Sequence, residues 1–453
     1  MMRTHTCNEL RKENQGEHVI LCGWLDSIRI QSKMAFIDLR DRYGTTQVFV
    51  PQNLLDSVRD LTKESVIKVP GVVKVKPKGN PKLDTGDIEV SAEKIELLNK
   101  ASELPISLDE KIESTEENRM KYRYIDLRRP RMQNNLKLRH KVTKAARDFL
   151  DKEGFLEIET PFLAKSTPEG ARDYLVPSRV NKKKFYALPQ SPQLFKQLLM
   201  ISGYDKYFQI VRCFRDEDLR SDRQPEFTQI DLEMSFVEQQ DLIELNERLM
   251  KHLFKECLGV DVKIPFEKMT YREAFEKYKT DKPDLRKSPE EFKFLWVTDF
   301  PMFEFSDEDK KWKAAHHPFT MPTSTDFKNP KLVGSKAYDL VLNGWEVGGG
   351  SIRIHDPELQ LSVLETLGLS KKEAEEKFGF LLSALKHGAP PHGGIAFGLD
   401  RLVALMAREE SLRDVIPFPK NKDAQDTMLD APSEVHADQL KELSIGHVHH
   451  EPV

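Results

Sequence analysis

The sequence predicts an α+β protein in two parts, a small N-terminal β-barrel followed by a larger domain built on an antiparallel sheet that carries helices. Three observations predict it. Residues 17–98 hold five short apolar-rich runs, HVILCGWLDSIRI, MAFIDLRD, TTQVFV, SVIKVPGVVKV and DIEVSAEKIELL, each bounded by turn residues. From Leu136 the pattern turns helical, with Leu138, Val142, Ala145, Ala146, Phe149 and Leu150 recurring every three to four positions until Gly154 supplies a stop. Beyond it, strand-like and helix-like segments follow one another without the regular β-α alternation of a doubly wound fold.

Five strands in so short a span fit an OB-fold, with one short helix at NLLDSVRDL. Such barrels bind single-stranded nucleic acid through aromatic platforms and basic edges. Phe36, Arg29 and Gln47 are candidates for that surface, although an aromatic residue in a small barrel can equally belong to its core. We take residues 1–103 as the barrel domain and 104–135 as a hinge, because that stretch is charged, lacks apolar periodicity and is broken by Pro105 and Pro130. Residues 136–453 form the second domain.

Composition sets the boundaries of function. The chain has 453 residues, with 70 Lys and Arg against 74 Asp and Glu, so no global field attracts a polyanion and any nucleic acid must meet a local patch. Its four cysteines, Cys7, Cys22, Cys213 and Cys257, have neither zinc spacing nor the density of a disulfide framework. No apolar run is long enough to span a bilayer, and the N-terminal stretch has no apolar core of a signal peptide. A cytoplasmic protein without a membrane partner is expected.

Four stretches carry chemistry. In FRDEDLRSDRQPEFTQIDLE (214–233) and the residues after it, Ile230, Leu232, Met234 and Phe236 share one parity, while Gln229, Asp231, Glu233 and Ser235 share the other, the pattern of a strand with one buried face. Phe227 stands among the polar set, where a ring suits stacking on a flat ligand better than facing water. In KAYDLVLNGWEVGGGSIR (336–353), Asn343-Gly344 marks a two-residue hairpin. Pairing Leu342 with Trp345 sets Asp339 opposite Gly348 and places Asp339 and Glu346 diagonally on one face, roughly 7 to 8 Å apart at the backbone. Two carboxylates at that separation can share a hard cation such as Mg²⁺, which arrives with phosphates; two exposed acids on an ordinary hairpin have the same spacing. The glycines that follow break the parity count and leave the face of Arg353 undetermined. In GIAFGLDRLVALMA (394–407), Arg401 in the first turn of a helix opposes the macrodipole, so an anion is needed beside it, either a bound phosphate or a structural carboxylate. ALPQSPQLFKQLL and the upstream PEGARDYLVP add Gln190, Gln193, Lys196, Glu169 and Arg172, a mixture suited to a zwitterion. The set fits ATP-dependent activation of a small acid, in which catalysis is mainly positioning and charge stabilisation.

These motifs closely resemble those of bacterial-type aspartyl-tRNA synthetases, class II enzymes, over nearly the whole chain. GFLEIETPFL, FRDEDLRSDRQPEFTQIDLE and GIAFGLDRL match the three class motifs, and QSPQLFKQ, GARDYLVPSR, HHPFT and GWEVGGGSIRIH match aspartate-type signatures. The resemblance implies an OB-fold anticodon-binding domain and a class II catalytic domain. The activity implied is the condensation of L-aspartate with ATP to aspartyl-adenylate, followed by transfer to the 3′ end of tRNA-Asp. As catalytic and ATP-binding residues it implies Arg215 on the α-phosphate, Glu217 and Gln224 near ATP or the tRNA end, Phe227 on adenine, and Arg401 on the other face of the ring. Asp339 and Glu346 become the Mg²⁺ ligands. Lys196 and Arg353 would bind the substrate side chain, Glu169, Gln193 and Asp231 its ammonium, with His316 and His317 on a loop nearby. Arg29, Gln31, Phe36, Gln47 and Glu89 would meet the anticodon, and Pro161 with its neighbouring helix implies a homodimer.

Two features depart from that family. The large domain usually inserted after DKPDLR is replaced by a connection of about seven residues near 287–293, and Gln31 occupies the position associated with telling tRNA-Asp from tRNA-Asn. The expectation therefore includes an enzyme that also charges tRNA-Asn, and from another class a paralogue that activates an amino acid without tRNA.

Overall fold

The computed structural model describes residues 1–167, 170–217, 219, 222–308 and 310–446. It divides into two compact units, Met1–Ile125 and Asp126–Val453. In the first, β1 (His18–Ile30), β2 (Met34–Arg40), β3 (Thr45–Pro51), β4 (Val66–Val75), β5 (Ile88–Ala92) and β6 (Glu96–Asn99) lie in the order β1-β2-β3-β5-β4-β6, and pairing of β1 with β4 closes the barrel. The last predicted strand is in fact two, β5 and β6, and the short helix is a 3₁₀ segment, Gln52–Ser57. Strict alternation decides the barrel's faces. Ala35, Ile37 and Leu39 point into a core with Leu21, Val48, Val50, Val69 and Val90, leaving the intervening residues of each strand outside.

The expected hinge is not featureless. It carries helices Glu116–Lys121 and Arg123–Asp126, and Pro130 opens α1 (Pro130–Lys152) instead of breaking it. Proline suits the first helical turn, where its missing N–H has no intrahelical partner to lose. The first turns escaped the apolar count because Met132 is their single buried apolar residue: the next buried position, Asn135, donates to Glu409 Oε1 at 2.7 Å and to the Asp414 carbonyl at 3.0 Å.

Among the described residues, the second unit is built on one eight-stranded sheet: β7 (Leu156–Glu157), β8 (Lys206–Phe214), β9 (Glu226–Ser235), β10 (Glu267–Thr270), β11 (Phe294–Thr298), β12 (Ala337–Leu342), β13 (Trp345–Ile352) and β14 (His392–Gly398). Their order is β10-β11-β12-β13-β14-β9-β8-β7; the pairings are antiparallel except at the two edges, where β10 runs parallel to β11 and β7 to β8. FLEIETPFL, which reads in sequence as a strand ended by Pro161, forms only the two-residue strand β7. Ile230, Leu232 and Met234 of β9 face a core shared with α1, α2 (Gln239–Leu258) and α3 (Leu399–Ala407), including Val142, Ala146, Leu249, Leu253, Leu402 and Val403. Phe236 does not join them. It follows the end of β9 with φ +58° and is exposed, so the alternation stops at Ser235.

β14 approaches β9 so closely that only glycine fits at 394, where a Cβ would lie 2.0 Å from Glu233 Oε2 and 2.1 Å from the Leu232 carbonyl oxygen. Gly394→Ala should therefore lower stability by about 1–3 kcal/mol, as overpacking does elsewhere, read as a reduced urea midpoint with an unchanged slope.

Candidate active site

The opposite parity of β9 does not face water. Gln229, Asp231, Glu233 and Ser235 are all buried, and Gln229 and Asp231 line a cleft of about 720 Å³. Around it the structure gathers Gln190, Gln193, Lys196, Arg215, Glu217, Gln224, Phe227, Asp231, His316, Asp339, Glu346, Arg353 and Arg401, whereas Arg172 does not line it and is exposed beside Asp216, donating from Nε to the Asp216 carbonyl at 3.2 Å. Glu169 lies outside the described residues.

The deepest part is a cluster of four charges. The Lys196 ammonium lies 2.6 Å from Asp231 Oδ1 and 3.1 Å from Glu233 Oε2. Glu233 also accepts two hydrogen bonds from Arg353, from Nε at 2.9 Å and Nη2 at 3.1 Å. Lys196 projects from the helix Gln193–Ile201 and Arg353 from just past β13, so both are fixed by regular elements. Burial alone would raise the Glu233 carboxyl, but Arg353 and Lys196 outweigh it and hold the group at about 2. Asp231 responds in the other direction: burial, only partly offset by Lys196, raises its carboxyl above the usual range. Its Oδ2 is buried without a hydrogen bond, an acceptor lacking a donor.

His316 and His317 border this cluster. Burial lowers both, His316 to about 4 and His317 well below its usual range, so both are neutral at pH 7. His317 Nε2 contacts Arg353, and His316 packs its ring edge-on against Phe300. Among the other predicted residues, Gln193 donates to Gln197 at 3.1 Å and Glu217 pairs with Arg223 at 3.1 Å. Both amide atoms of Gln224 are taken up by the Lys420 backbone.

At the hairpin the predicted register needs correction. Leu342 does pair with Trp345 and Val341 with Glu346, but a bulge then sets Asp339 opposite Gly349, not Gly348. The extra residue was invisible in the sequence because the glycine run has no side chains to count. The diagonal relation survives: a Cβ on Gly349 would meet Asp339 Oδ1 at 2.9 Å and Glu346 Oε1 at 3.7 Å, so both carboxylates converge on one point that glycine leaves open. Asp339 Oδ1 is buried with no hydrogen bond, and burial together with Glu346 pushes its carboxyl well up. Glu346 is held down, burial notwithstanding, by Lys282, whose Nζ lies 2.5 Å from Oε2. Sequence reasoning missed Lys282, and named Glu233 only as part of an alternating face.

Arg215 and Phe227 form a pair, the guanidinium carbon 5.0 Å from the ring centroid, and Arg215 Nε is buried without a hydrogen-bond partner. Arg401 reaches the Glu346 carbonyl at 3.0 Å and lies 3.7 Å from Asp222. Its place is set by Asp400, which accepts from the Thr228 backbone at 2.9 Å and pairs with Arg139 at 2.5 Å, tying α3 to β9 and α1.

The chain matches the model of the class II tRNA synthetases for D, K and N over residues 115–422, and that of the OB-fold nucleic-acid-binding domain over 19–98. The chain belongs to the class II tRNA synthetases. This synthetase is 45% identical to the aspartate–tRNA(Asp/Asn) ligases of Thermotoga neapolitana and Thermotoga maritima, covering 98% of this chain and 99% of each relative. It is 43% identical to the aspartate–tRNA ligase of Ruminiclostridium cellulolyticum, covering 98% of both chains. Among solved structures, an asparaginyl-tRNA synthetase from Pyrococcus horikoshii complexed with asparaginyl-adenylate aligns with a TM-score of 0.77 at 25% identity, over 92% of this chain and 98% of that one. The aspartyl-tRNA synthetase of Entamoeba histolytica, at 22% identity, shares the fold with a TM-score of 0.72 over 92% of this chain and 91% of that one.

In the barrel of this synthetase, Phe36 is on the outer face, half-buried and edge-on to Phe49 at 5.7 Å, not in the core. Arg29 pairs with Asp38 at 2.7 Å and Gln47 donates to Glu89 at 2.9 Å, so these candidates form one surface across β1, β2, β3 and β5. Gln31 is exposed in the turn between β1 and β2.

The Glu233 shift has a pH consequence. Because its carboxyl falls from 4.5 to about 2 on folding, its contribution is fully present above about pH 4.5 and is lost as pH falls through 2. Glu233→Gln, which leaves Lys196 and Arg353 with one carboxylate fewer, should destabilise by about 3–5 kcal/mol at pH 7. In urea melts across pH, the gap between the two proteins should shrink below pH 4.5; a constant gap would place the effect in packing instead.

Proposed function

We propose that this synthetase condenses L-aspartate with ATP and transfers the aspartyl group to the 3′-terminal ribose of tRNA-Asp. The observation that carries the residue assignment is the pairing, in one cleft, of a buried cation cluster that holds an unsatisfied Asp231 oxygen with two carboxylates that converge beside an unsatisfied Asp339 oxygen. The first suits a zwitterionic dicarboxylic amino acid: Asp231 Oδ2 accepts from the α-ammonium, with Gln193 on the same cleft, while Lys196 and Arg353 bind the side-chain carboxylate. A neutral amide satisfies two cations poorly, which favours aspartate over asparagine. The neutral His316 and His317 add polar lining without a further charge.

The second suits ATP. Asp339 and Glu346 fit a divalent cation, because their oxygens converge over Gly349 where no side chain intrudes. Two carboxylates leave most of a cation's ligand positions to phosphate and water, the usual arrangement for Mg²⁺. A Mg²⁺ held by Asp339 and Glu346 would supply charge neutralisation for the pyrophosphate. Phe227 stacks on adenine, Arg401 covers the ring's other face, and Glu217 and Gln224 line the approach of ATP and the tRNA end. The aspartate α-carboxylate attacks the α-phosphorus, Arg215 stabilises the charge that gathers on its oxygens, and pyrophosphate leaves. The tRNA hydroxyl then attacks the carbonyl and AMP leaves, so no protein nucleophile is required. A role as a homodimer is supported by the exposed Leu156, Phe162 and Leu163 along and beyond the edge strand. Arg29, Gln31, Phe36, Gln47 and Glu89 form the anticodon surface, where unpaired bases are read by stacking and by base-edge hydrogen bonds.

A second reading, that tRNA-Asn is charged with aspartate too, is favoured by the Asp/Asn designation of the two Thermotoga relatives. Charging both transcripts with labelled aspartate at one salt concentration separates the two, the discriminating enzyme acylating tRNA-Asp alone. Arg215→Ala should reduce aspartate-dependent pyrophosphate exchange by about 10²–10³-fold, the usual loss when a transition-state charge loses its donor. Undiminished exchange would refute the assignment of Arg215.

A further inference from the structure

Lys282 pairs with one of the two carboxylates proposed to hold the cation that accompanies the nucleotide. Its Nζ is 2.5 Å from Glu346 Oε2, on the carboxylate whose other oxygen converges with Asp339 over Gly349. It comes from the segment that leads into the short connection, and that segment is fixed at several points. Asp284 packs against the hairpin turn at Gly344, where a Cβ would meet its Cβ at 3.2 Å. Arg408 donates to the Pro289 carbonyl at 2.7 Å and to the Glu290 carbonyl at 2.9 Å, and Asn343 donates to the Glu291 carbonyl at 3.0 Å. The hairpin that carries both carboxylates thus also anchors the strand of chain that delivers the ammonium.

An ammonium at hydrogen-bond distance and a divalent cation at roughly 2.0–2.1 Å from the same carboxylate repel each other, so the two compete for Glu346. We propose that Lys282 is a positioning residue that acts as an exchangeable internal counter-ion: it neutralises Glu346 before nucleotide binds, keeps free divalent cation off the carboxylates, and yields when the cation arrives with ATP. Its flexible four-carbon stem lets it withdraw without backbone movement, and its side chain is partly exposed, so the released ammonium is hydrated at little loss. The inference rests on the reading of Asp339 and Glu346 as cation ligands.

The test is Mn²⁺ binding to the full chain, followed by loss of the free-ion electron paramagnetic resonance signal, with and without a non-hydrolysable ATP analogue. Without nucleotide, Lys282→Met and Lys282→Gln should bind Mn²⁺ about five- to tenfold more tightly than the wild type, on the scale of removing one partly screened competing charge. Lys282→Arg, which keeps the cation, should stay close to wild type. A variant that merely loosened the fold would bind less tightly, so the direction separates the two roles. Equal affinity in wild type and both neutral variants overturns the counter-ion while leaving the metal site intact. Absence of Mn²⁺ binding to every form, even with the analogue, overturns the metal reading and the inference with it.

Discussion

The second unit depends on one arrangement, the burial of Lys196, Asp231, Glu233 and Arg353 against one another. Removing four charges from water is unfavourable by several kcal/mol per ion after relaxation. It is tolerated only where each finds its counter-charge at hydrogen-bond distance. That requirement constrains everything around it. Glu233 has to stand on the inner parity of β9, Arg353 has to emerge next to β13, and β14 has to be glycine at 394 so that the carboxylate has room. The sheet register is therefore specified from both sides, by the apolar stripe of Ile230, Leu232 and Met234 against the helices and by the charge set against the cleft. A slip of one residue would expose the first and strand the second in a hydrocarbon core.

The same logic explains why the cleft is poised. Asp231 Oδ1 and both Glu233 oxygens accept hydrogen bonds, while Asp231 Oδ2, Asp339 Oδ1 and Arg215 Nε are left without a hydrogen-bond partner. Unsatisfied buried polar atoms are destabilising in a core and useful in a binding site, because a ligand that supplies the missing partner recovers their lost hydration. The histidines add polarity without charge. Burial keeps them neutral near pH 7, so the balance of the cluster is set by its carboxylates and cations alone.

Much of this was legible in the sequence where the information is local and periodic. Alternation over residues 229–235 identifies the faces of β9 correctly, the stripe from Leu138 to Leu150 lies in the core, and Asn343-Gly344 closes the predicted hairpin. Illegible features depend on groups far apart in the chain or on residues without side chains. The bulge that sets Asp339 opposite Gly349 falls in a glycine run, where parity has nothing to count. The early start of α1 is hidden because its first turns bury one apolar residue, Met132, and then Asn135, which is held by a polar bond to Glu409 and breaks the apolar repeat. Lys282 has no periodic context, and its partner is 64 positions away. Phe36 could be assigned to neither face until strand pairing placed it outside the barrel.

The short connection at 287–293 has a consequence for design. Its anchors are the backbone carbonyls of Pro289, Glu290 and Glu291, which any residue provides, and the Phe292 ring, which packs against Phe254 and Arg408, while residues 287–290 are exposed. The side chains of 287–290 thus make no part of the cleft, while Arg408, just past α3, and Asn343, in the hairpin turn, clamp the chain. Such a segment is a natural splice point: a folded module with closely spaced termini could be grafted into it, its attachment borne by the clamps, without a change to the amino acids that line the cleft. The architecture separates what can be extended from what has to stay fixed.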